Sequence, residues 1–388
     1  MKSPLKILSV IGTRPEAIKM APLLLRLQSD AERYSSVVCA TGQHFSLFDQ
    51  GLGAFPVEVH YNLKLMVANQ QLDQLTARAL TGIGEVIEEV RPELVLVHGD
   101  TTTTLAGALS AYYQGVRVGH VEAGLRTGDL RSPFPEEANR TLTDRLADFC
   151  FAPTERNRAA LLSEGVDDKR IFVTGNTAID ALFMVRDKIK ETDPHIWSSQ
   201  WGERVESIVN SRRPMILITA HRRENFGAGL RSICRAIREL AHQLPEWAFV
   251  YPVHLNPNVQ APAREILGDV PNVLLTEPLD YEPFVFLMNR AHLILTDSGG
   301  IQEEAPSLGK PVVVLREKTE RQEAVEAGTV LLAGTDEERI VETVGQLVND
   351  AALYAEMSRR INPYGDGRAS ERILRVLDEE LAMGRTDE

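Results

Sequence analysis

Short apolar runs recur along this chain, each ending in glycine, serine, threonine, aspartate or histidine and each followed by a segment of helical composition. That alternation restricts the fold to βα units feeding a parallel sheet, because parallel neighbours need a crossover and a helix usually supplies it. The pattern is clearest from Leu293 to Arg316, LILTDSGGIQEEAPSLGKPVVVLR. An apolar strand ends at Thr296-Asp297, Ser298-Gly299-Gly300 turns sharply, Ile301 to Leu308 is helical, and Pro311 opens another apolar run. Such a turn aims backbone N–H groups and a helix dipole at one point, and its glycines let an anion approach closely. The Ser298 hydroxyl adds a donor, so phosphate or pyrophosphate suits the turn, although an ordinary βα connection has the same composition. Glu304, on the following helix, is either an acceptor for ribose hydroxyls or a solvated carboxylate.

Composition narrows the class. The 388 residues allow two domains, and 43% hydrophobic with 25% charged residues is ordinary for a soluble globular protein. Lys and Arg total 42 against 55 Asp and Glu, a net charge of −13, which argues against nucleic-acid and anionic-membrane partners. Cys39, Cys150 and Cys234 lie far apart in apolar surroundings, so neither a zinc pattern nor a disulfide framework is expected, and the cytosol is the expected compartment. The N-terminal run leads into a glycine turn with no signal-peptide pattern, and no stretch has membrane length.

Taken in order, Lys6 to Gly12 reads as a first strand, and Gly12-Thr13-Arg14-Pro15-Glu16 as a turn into a helix bearing Arg14 and Lys19. A second strand runs from Ser36 to Thr41. Strands near ELVLVHGD and Val116 to Val121 end in Asp100 and Glu122, with a threonine-capped helix between them. In open parallel sheets ligands bind outside the carboxyl ends of the strands, so both carboxylates are candidates for chemistry; helix capping and loop solvation are the plainer alternatives. Glu136 and Arg140 share a helix face, either as a surface pair or aimed at the same edge. Lys188 to Arg213 reads as the connection between halves, packed by Trp197 and Trp201. The second half restarts at Pro214 to Thr219 and ends that strand with His221, Arg222 and Arg223. Further strands close at His254, near Thr276, at the opening segment and at Leu315, and Arg321 stands where a helix starts. Residues 337 to 360 read as one helix, before a last amphipathic helix from Ser370 to Leu381. No GxGxxG, HExxH, nucleophile-elbow or P-loop pattern occurs.

The blocks GTRPEAIKMAP, HGDTTTT, HVEAGLRT, PFPEEANR, TGNTAIDAL, TAHRREN, LTDSGGIQEEAPSLGKP, TERQEA and NPYGDGRASERI together resemble the non-hydrolysing UDP-N-acetylglucosamine 2-epimerases of bacteria and archaea. The resemblance implies a GT-B-like α/β fold: two Rossmann-like doubly wound domains facing a central cleft, residues 1–180 and 181–365, with the C-terminal helix at 366–388 joining the first. It further implies a cytoplasmic homodimer using no metal and no cofactor, interconverting UDP-N-acetylglucosamine and UDP-N-acetylmannosamine for cell-surface polysaccharide synthesis. By motif position, Ser298, Gly299, Gly300, Glu304 and Arg321 match the UDP-binding set, with Phe284 near the uracil. Arg14 and His221 would meet the phosphates, with His221, Asp100, Glu122 and Glu136 catalytic and Lys19 and Arg140 on the sugar side. Gln43, Gln70, Arg222 and His254 match a regulatory site for a second UDP-sugar in some members. Ser46 and Asn69 stand where regulated members tend to carry Gln and Arg, a departure that weakens that expectation.

A C2 proton beside an acetamido group has no adjacent carbonyl to acidify it, so rupture of the C1–O bond to UDP must come first. Loss of the C2 proton then gives a 2-acetamidoglucal by anti elimination, and re-addition needs acid/base groups on both faces of C2. The alternatives are a hydrolysing epimerase, an epimerase of a diacetamido uronic acid nucleotide, a glycosyltransferase of the same fold, and a UDP-sugar-binding protein without catalysis.

Overall fold

The computed structural model describes residues 3–42, 53–65, 67, 70–211 and 213–384. The chain divides into two units, Met1–Met184 with Tyr364–Glu388, and Val185–Pro363. In the first, the strands are β1 (Leu5–Ile11), β2 (Tyr34–Ala40), β3 (Tyr61–Asn62), β4 (Leu94–His98), β5 (Arg117–Val121), β6 (Phe149–Ala152) and β7 (Ile171–Val173). They form a parallel sheet in the order β3-β2-β1-β4-β5-β6-β7. The second unit holds β8 (Met215–Thr219), β9 (Ala248–Pro252), β10 (Val273–Thr276), β11 (Leu293–Thr296), β12 (Val312–Val314) and β13 (Val330–Leu332). Their order is β10-β9-β8-β11-β12-β13, again parallel. Each is therefore a doubly wound sheet whose order reverses once, between β1 and β4 in one unit and between β8 and β11 in the other. Those reversals open the crevices where such sheets bind ligands.

Side-chain alternation explains why the strands are apolar throughout. In β1 and β4, Ile7, Ile11, Leu94 and Leu96 face the core against helix Arg14–Ser29, while Leu8, Val10, Val95 and Val97 face helices Leu72–Val90 and Thr102–Tyr113. A parallel sheet covered on both faces needs apolar residues at odd and even positions alike.

Helix Ala369–Gly384 closes the first of these cores. Ile373, Leu374, Leu377 and Leu381 fall on one helical face and join Ile7, Ile11, Met20 and Leu24. Its start is fixed by the buried Asp180 carboxylate, which accepts the backbone N–H groups of Ala369 (3.0 Å) and Ser370 (2.8 Å).

One expectation needs correction. Residues 337–360 form two helices, Glu337–Asn349 and Ala351–Arg359. The backbone leaves helical geometry at Asp350, whose side chain caps the second helix by accepting from Ala352 and Leu353 (2.9 Å each). The segment from 188 to 213 lies in the second unit and is packed there by its two tryptophans. Trp197 and Trp201 are buried edge to face, centroids 5.5 Å apart, and both meet the ring of Phe286.

Truncating Leu377 to Ala in the full chain is expected to lower stability by about 2–5 kcal/mol, because the side chain is wholly buried. Arg375→Ala, on the exposed face of the same helix, is expected to stay within about 0.5 kcal/mol, and urea denaturation compares the two.

Candidate active site

At the β1/β4 crevice of the first unit, the turn after β1 enters helix Arg14–Ser29 through Thr13 and Pro15, with Glu16 completing a capping box. One Glu16 oxygen accepts from the backbone N–H groups of Gly12 (2.5 Å) and Thr13 (3.0 Å). Burial, with added repulsion from Asp100, raises the Glu16 carboxyl to about 7. Arg14 stands half-buried at the helix start, and Lys19 lies a turn further on.

Lys19 reaches across to Glu122, with Nζ 2.5 Å from Oε2. The same oxygen accepts from Asn176 Nδ2 at 3.1 Å and lies 3.7 Å from His98 Nε2. Glu122 has φ +69°, a left-handed conformation that is strained for a non-glycine residue and recurs at functional sites. The turn after β5 thus holds this carboxylate in a position that an extended backbone would not give. His98 is buried, and burial pushes its pKa down to about 4, so it faces Glu122 as a neutral ring.

Asp100 and Glu122 belong to neighbouring strand ends: His98 is level with Val121 in the β4/β5 register, and Gly99 N–H donates to Val121 (2.9 Å). Burial raises the Asp100 pKa, Arg140 opposes that, and Glu122 and Glu136 add repulsion. Arg140 Nη1 lies 3.1 Å from Asp100 Oδ2, and Asn139 donates to the Asp100 carbonyl at 3.0 Å. The Arg140 partners are Asp100 and Glu137, the latter at 2.8 Å from Nε. Its expected helix partner Glu136 is half-buried at the first position of helix Glu136–Leu146. Glu137 is the buried one, tied also to the N–H groups of Thr127 and Gly128, so a one-residue shift in helix phase decides which carboxylate clamps the arginine.

Beneath this turn, His120 Nδ1 meets Asp144 at 2.6 Å and its Nε2 donates to the Gly99 carbonyl at 2.7 Å. Arg126 also reaches Asp144, at 2.7 Å. Although burial opposes it, His120 and Arg126 hold Asp144 below the usual carboxylate range.

At the β8/β11 crevice of the second unit, Thr219 and Thr296 are paired in register and their hydroxyls lie 2.6 Å apart. Ser298 caps helix Gly299–Glu304 by position, and its N–H donates to the Thr296 hydroxyl at 2.9 Å. A Cβ on Gly299 would lie 2.8 Å from the Arg321 guanidinium carbon, whereas one on Gly300 would meet no described atom within 4 Å. The first glycine therefore admits the arginine and the second leaves the turn open to a close guest. Arg321 precedes helix Gln322–Glu326 and its Nε is 2.8 Å from the buried Glu303. Glu304 is also buried and its charge faces Tyr281, at the start of helix Tyr281–Arg290, which carries the half-buried Phe284.

His221 follows β8. Its ring stacks on His254 at a centroid distance of 5.4 Å, with the exposed Arg222 beside it in sequence. Burial lowers the His221 pKa, Asp297 raises it, and His254 and Arg222 lower it further. Gln70 belongs to the first unit, where Arg78 donates to it, while Gln43, Ser46 and Asn69 lie outside the described residues. Sequence reasoning passed over Glu16, His98, His120, Glu137, Asp144, Asn176, Asp297 and Glu303. Glu16, Glu137, Asp144 and Glu303 lie in helices and His120 lies within β5, whereas His98, Asn176 and Asp297 end or follow a strand, where position could have nominated them.

Glu16 gives a pH signature. Its folded pKa, about 7, is above the ordinary 4.5, so the stability tied to its proton is fully present below about 4.5 and is lost as pH rises through about 7. Glu16→Gln, which keeps an acceptor for the turn, is expected to remove that loss. Denaturation midpoints at pH 5 and 8 should draw apart for the wild type relative to the variant.

A family model described as UDP-N-acetylglucosamine 2-epimerase matches residues 26–378. The UDP-N-acetylglucosamine 2-epimerase of Yersinia pestis is 54% identical over 96% of this chain and 98% of its own length. That of Escherichia coli K12 is 55% identical over the same 96% and 98%. A crystal structure of the Neisseria meningitidis enzyme bound to UDP-GlcNAc is 50% identical, with a TM-score of 0.89, covering 97% of this chain and 100% of that one. With two doubly wound sheets and its charged side chains gathered at their switch points, the chain belongs to the UDP-N-acetylglucosamine 2-epimerase family.

Proposed function

We propose that this chain reversibly inverts C2 of UDP-N-acetylglucosamine, giving UDP-N-acetylmannosamine by elimination and re-addition of UDP. The observation that carries the reading is the match, over nearly the full chain, to relatives bearing that enzyme name. The local geometry supports it with groups of the required kinds. In the proposed assignment Ser298, Gly299, Gly300, Glu304, Arg321 and Phe284 hold UDP, and Arg14 and His221 stabilise the diphosphate as the C1–O bond breaks. Lys19 and Arg140 orient the sugar beside Asp100, Glu122 and Glu136.

Inversion through a planar C2 needs one group to take a proton and another to give one. Two neighbouring carboxylates in different surroundings suit that division. Lys19 balances the charge on Glu122, while burial and the neighbouring carboxylates make Asp100 hold its proton to higher pH than an ordinary aspartate. The three buried thiols, Cys39, Cys150 and Cys234, suit a reducing compartment, and we assign the enzyme to the cytosol. No described helix is long and apolar enough to cross a membrane.

Incubation with UDP-N-acetylglucosamine in D2O is expected to give both UDP-sugars with deuterium at C2 by NMR. Free UDP with free N-acetylmannosamine would instead identify a hydrolase. Asp100→Asn, Glu122→Gln and Glu136→Gln are each expected to lower turnover by about 10²-fold or more while leaving UDP affinity within a few-fold by calorimetry. Near-normal turnover in all three would refute these roles.

We further propose a homodimer formed through the first unit. Helices Thr102–Tyr113 and Glu136–Leu146 pack together and expose Tyr112, Tyr113 and Leu142, large apolar side chains of the kind enriched at subunit contacts. Light scattering is expected to give twice the chain mass, and Tyr112→Asp with Tyr113→Asp to return it to the monomer value.

A further inference from the structure

His221 and Asp297 follow the two strands that flank the switch point of the second sheet, β8 and β11. The Asp297 carboxylate is fully buried, and its two oxygens are treated very differently. Oδ2 accepts three donors: the backbone N–H groups of His221 and Arg222, at 2.8 Å each, and Asn225 Nδ2 at 3.0 Å. Oδ1 is equally buried, has no hydrogen-bond partner among the described residues, and lies 4.0 Å from His221 Nδ1.

A buried carboxylate oxygen without a donor is unfavourable, because it has lost its water and gained nothing in return. The three bonds to Oδ2 fix the carboxylate and leave Oδ1 4.0 Å from the imidazole nitrogen. The gap exceeds a charge-assisted N–H···O bond by about 1 Å, within reach of a small rotation of the His221 ring. The ring is the more accessible member of the pair, its side chain 38% exposed while that of Asp297 is wholly buried.

We infer that Asp297 is the positioning residue of His221, holding Nδ1–H on its free oxygen so that Nε2 is presented to the diphosphate as UDP leaves. The inference rests on the proposed epimerase reading. It assigns no new proton to the reaction: the C1–O electron pair departs with the diphosphate oxygen, and the C2 proton goes to a carboxylate of the first unit. What Asp297 supplies is the tautomer, the ring orientation and the negative charge that keeps the imidazolium available. The other groups facing His221 work against that charge. His254 stacks on the ring and Arg222 adjoins it, and both disfavour a second cation.

The test compares Asp297→Asn, His221→Gln and the double variant in the full-length enzyme. Asparagine keeps an oxygen for the three N–H groups and turns an amide N–H₂ toward Nδ1, which favours the wrong tautomer. Turnover of Asp297→Asn is expected to fall about 10²-fold or more with KM and UDP affinity unchanged or improved, since a negative charge near the diphosphate is gone. The alkaline limb of kcat is expected to move to lower pH. In the His221→Gln background the same substitution is expected to cost less than about threefold, as for two residues acting through one path.

Wild-type turnover and pH profile in Asp297→Asn would overturn the inference, and so would independent, multiplicative losses in the double variant. Should Asp297→Asn fail to fold, ¹⁵N NMR of the wild-type ring with UDP bound decides the matter. A proton on Nδ1 supports the pairing, and a bare Nδ1 overturns it. A wild type that leaves the UDP-sugar unchanged would overturn the epimerase reading and this inference together, whereas an active wild type with an active Asp297→Asn overturns the pairing alone.

Discussion

A parallel sheet walled by helices on both faces leaves few places for polar groups other than the ends of its strands. Every residue of β4 and β8 is buried, and the chemistry of this protein begins at the residue where each apolar run stops. Because strand order reverses between β1 and β4, and again between β8 and β11, helices leave opposite faces there and the strand ends are open. Asp100 beside Glu122, and Asp297 beside His221, are outcomes of that constraint applied twice to one chain.

Placing charge at such an edge requires burying some of it, and the structure compensates group by group. Glu16 and Asp297 cap turn N–H groups, Glu137 caps two more, and Asp144 is matched by Arg126 and His120. The His120 ring has an oxygen acceptor at each nitrogen, one of them the carbonyl of the glycine that precedes Asp100. A buried polar assembly of this kind is a weak source of net stability but a strong source of geometry, because any alternative arrangement strands a charge. The turn carrying Asp100 is thereby held from below, and Arg140 and Asn139 hold it from the side.

The architecture was legible because its signals are local and periodic. Apolar runs with polar ends predicted β1, β2, β4, β5, β8 and β11 to within about two residues at each end, and the restart of the alternation at Pro214 predicted a second sheet. The two-residue β3, Tyr61–Asn62, carries too little pattern to be seen. At the site, residue types at strand ends nominated Asp100, Glu122, His221 and the SGG turn. Helix phase was harder: Glu136 and Glu137 are adjacent, and only packing reveals that the second turns inward to Arg140. The groups that orient other groups, such as His120 and Asn176, were invisible because their roles depend on partners 24 and 54 residues away. Glu122 carries its strain in a backbone angle that no side-chain pattern encodes.

The return of helix Ala369–Gly384 to the first unit makes that unit discontinuous in the chain. During synthesis, β1 through β7 emerge well before Ile373, Leu374 and Leu377, so one flank of the sheet waits, its apolar surface uncovered, while the whole second unit is being made. The two units are in this sense nested rather than serial, and the order of translation differs from the order in which their cores can be completed. Cutting between them at the residue 184/185 boundary would therefore yield no intact first unit, only a sheet lacking one of its covering helices.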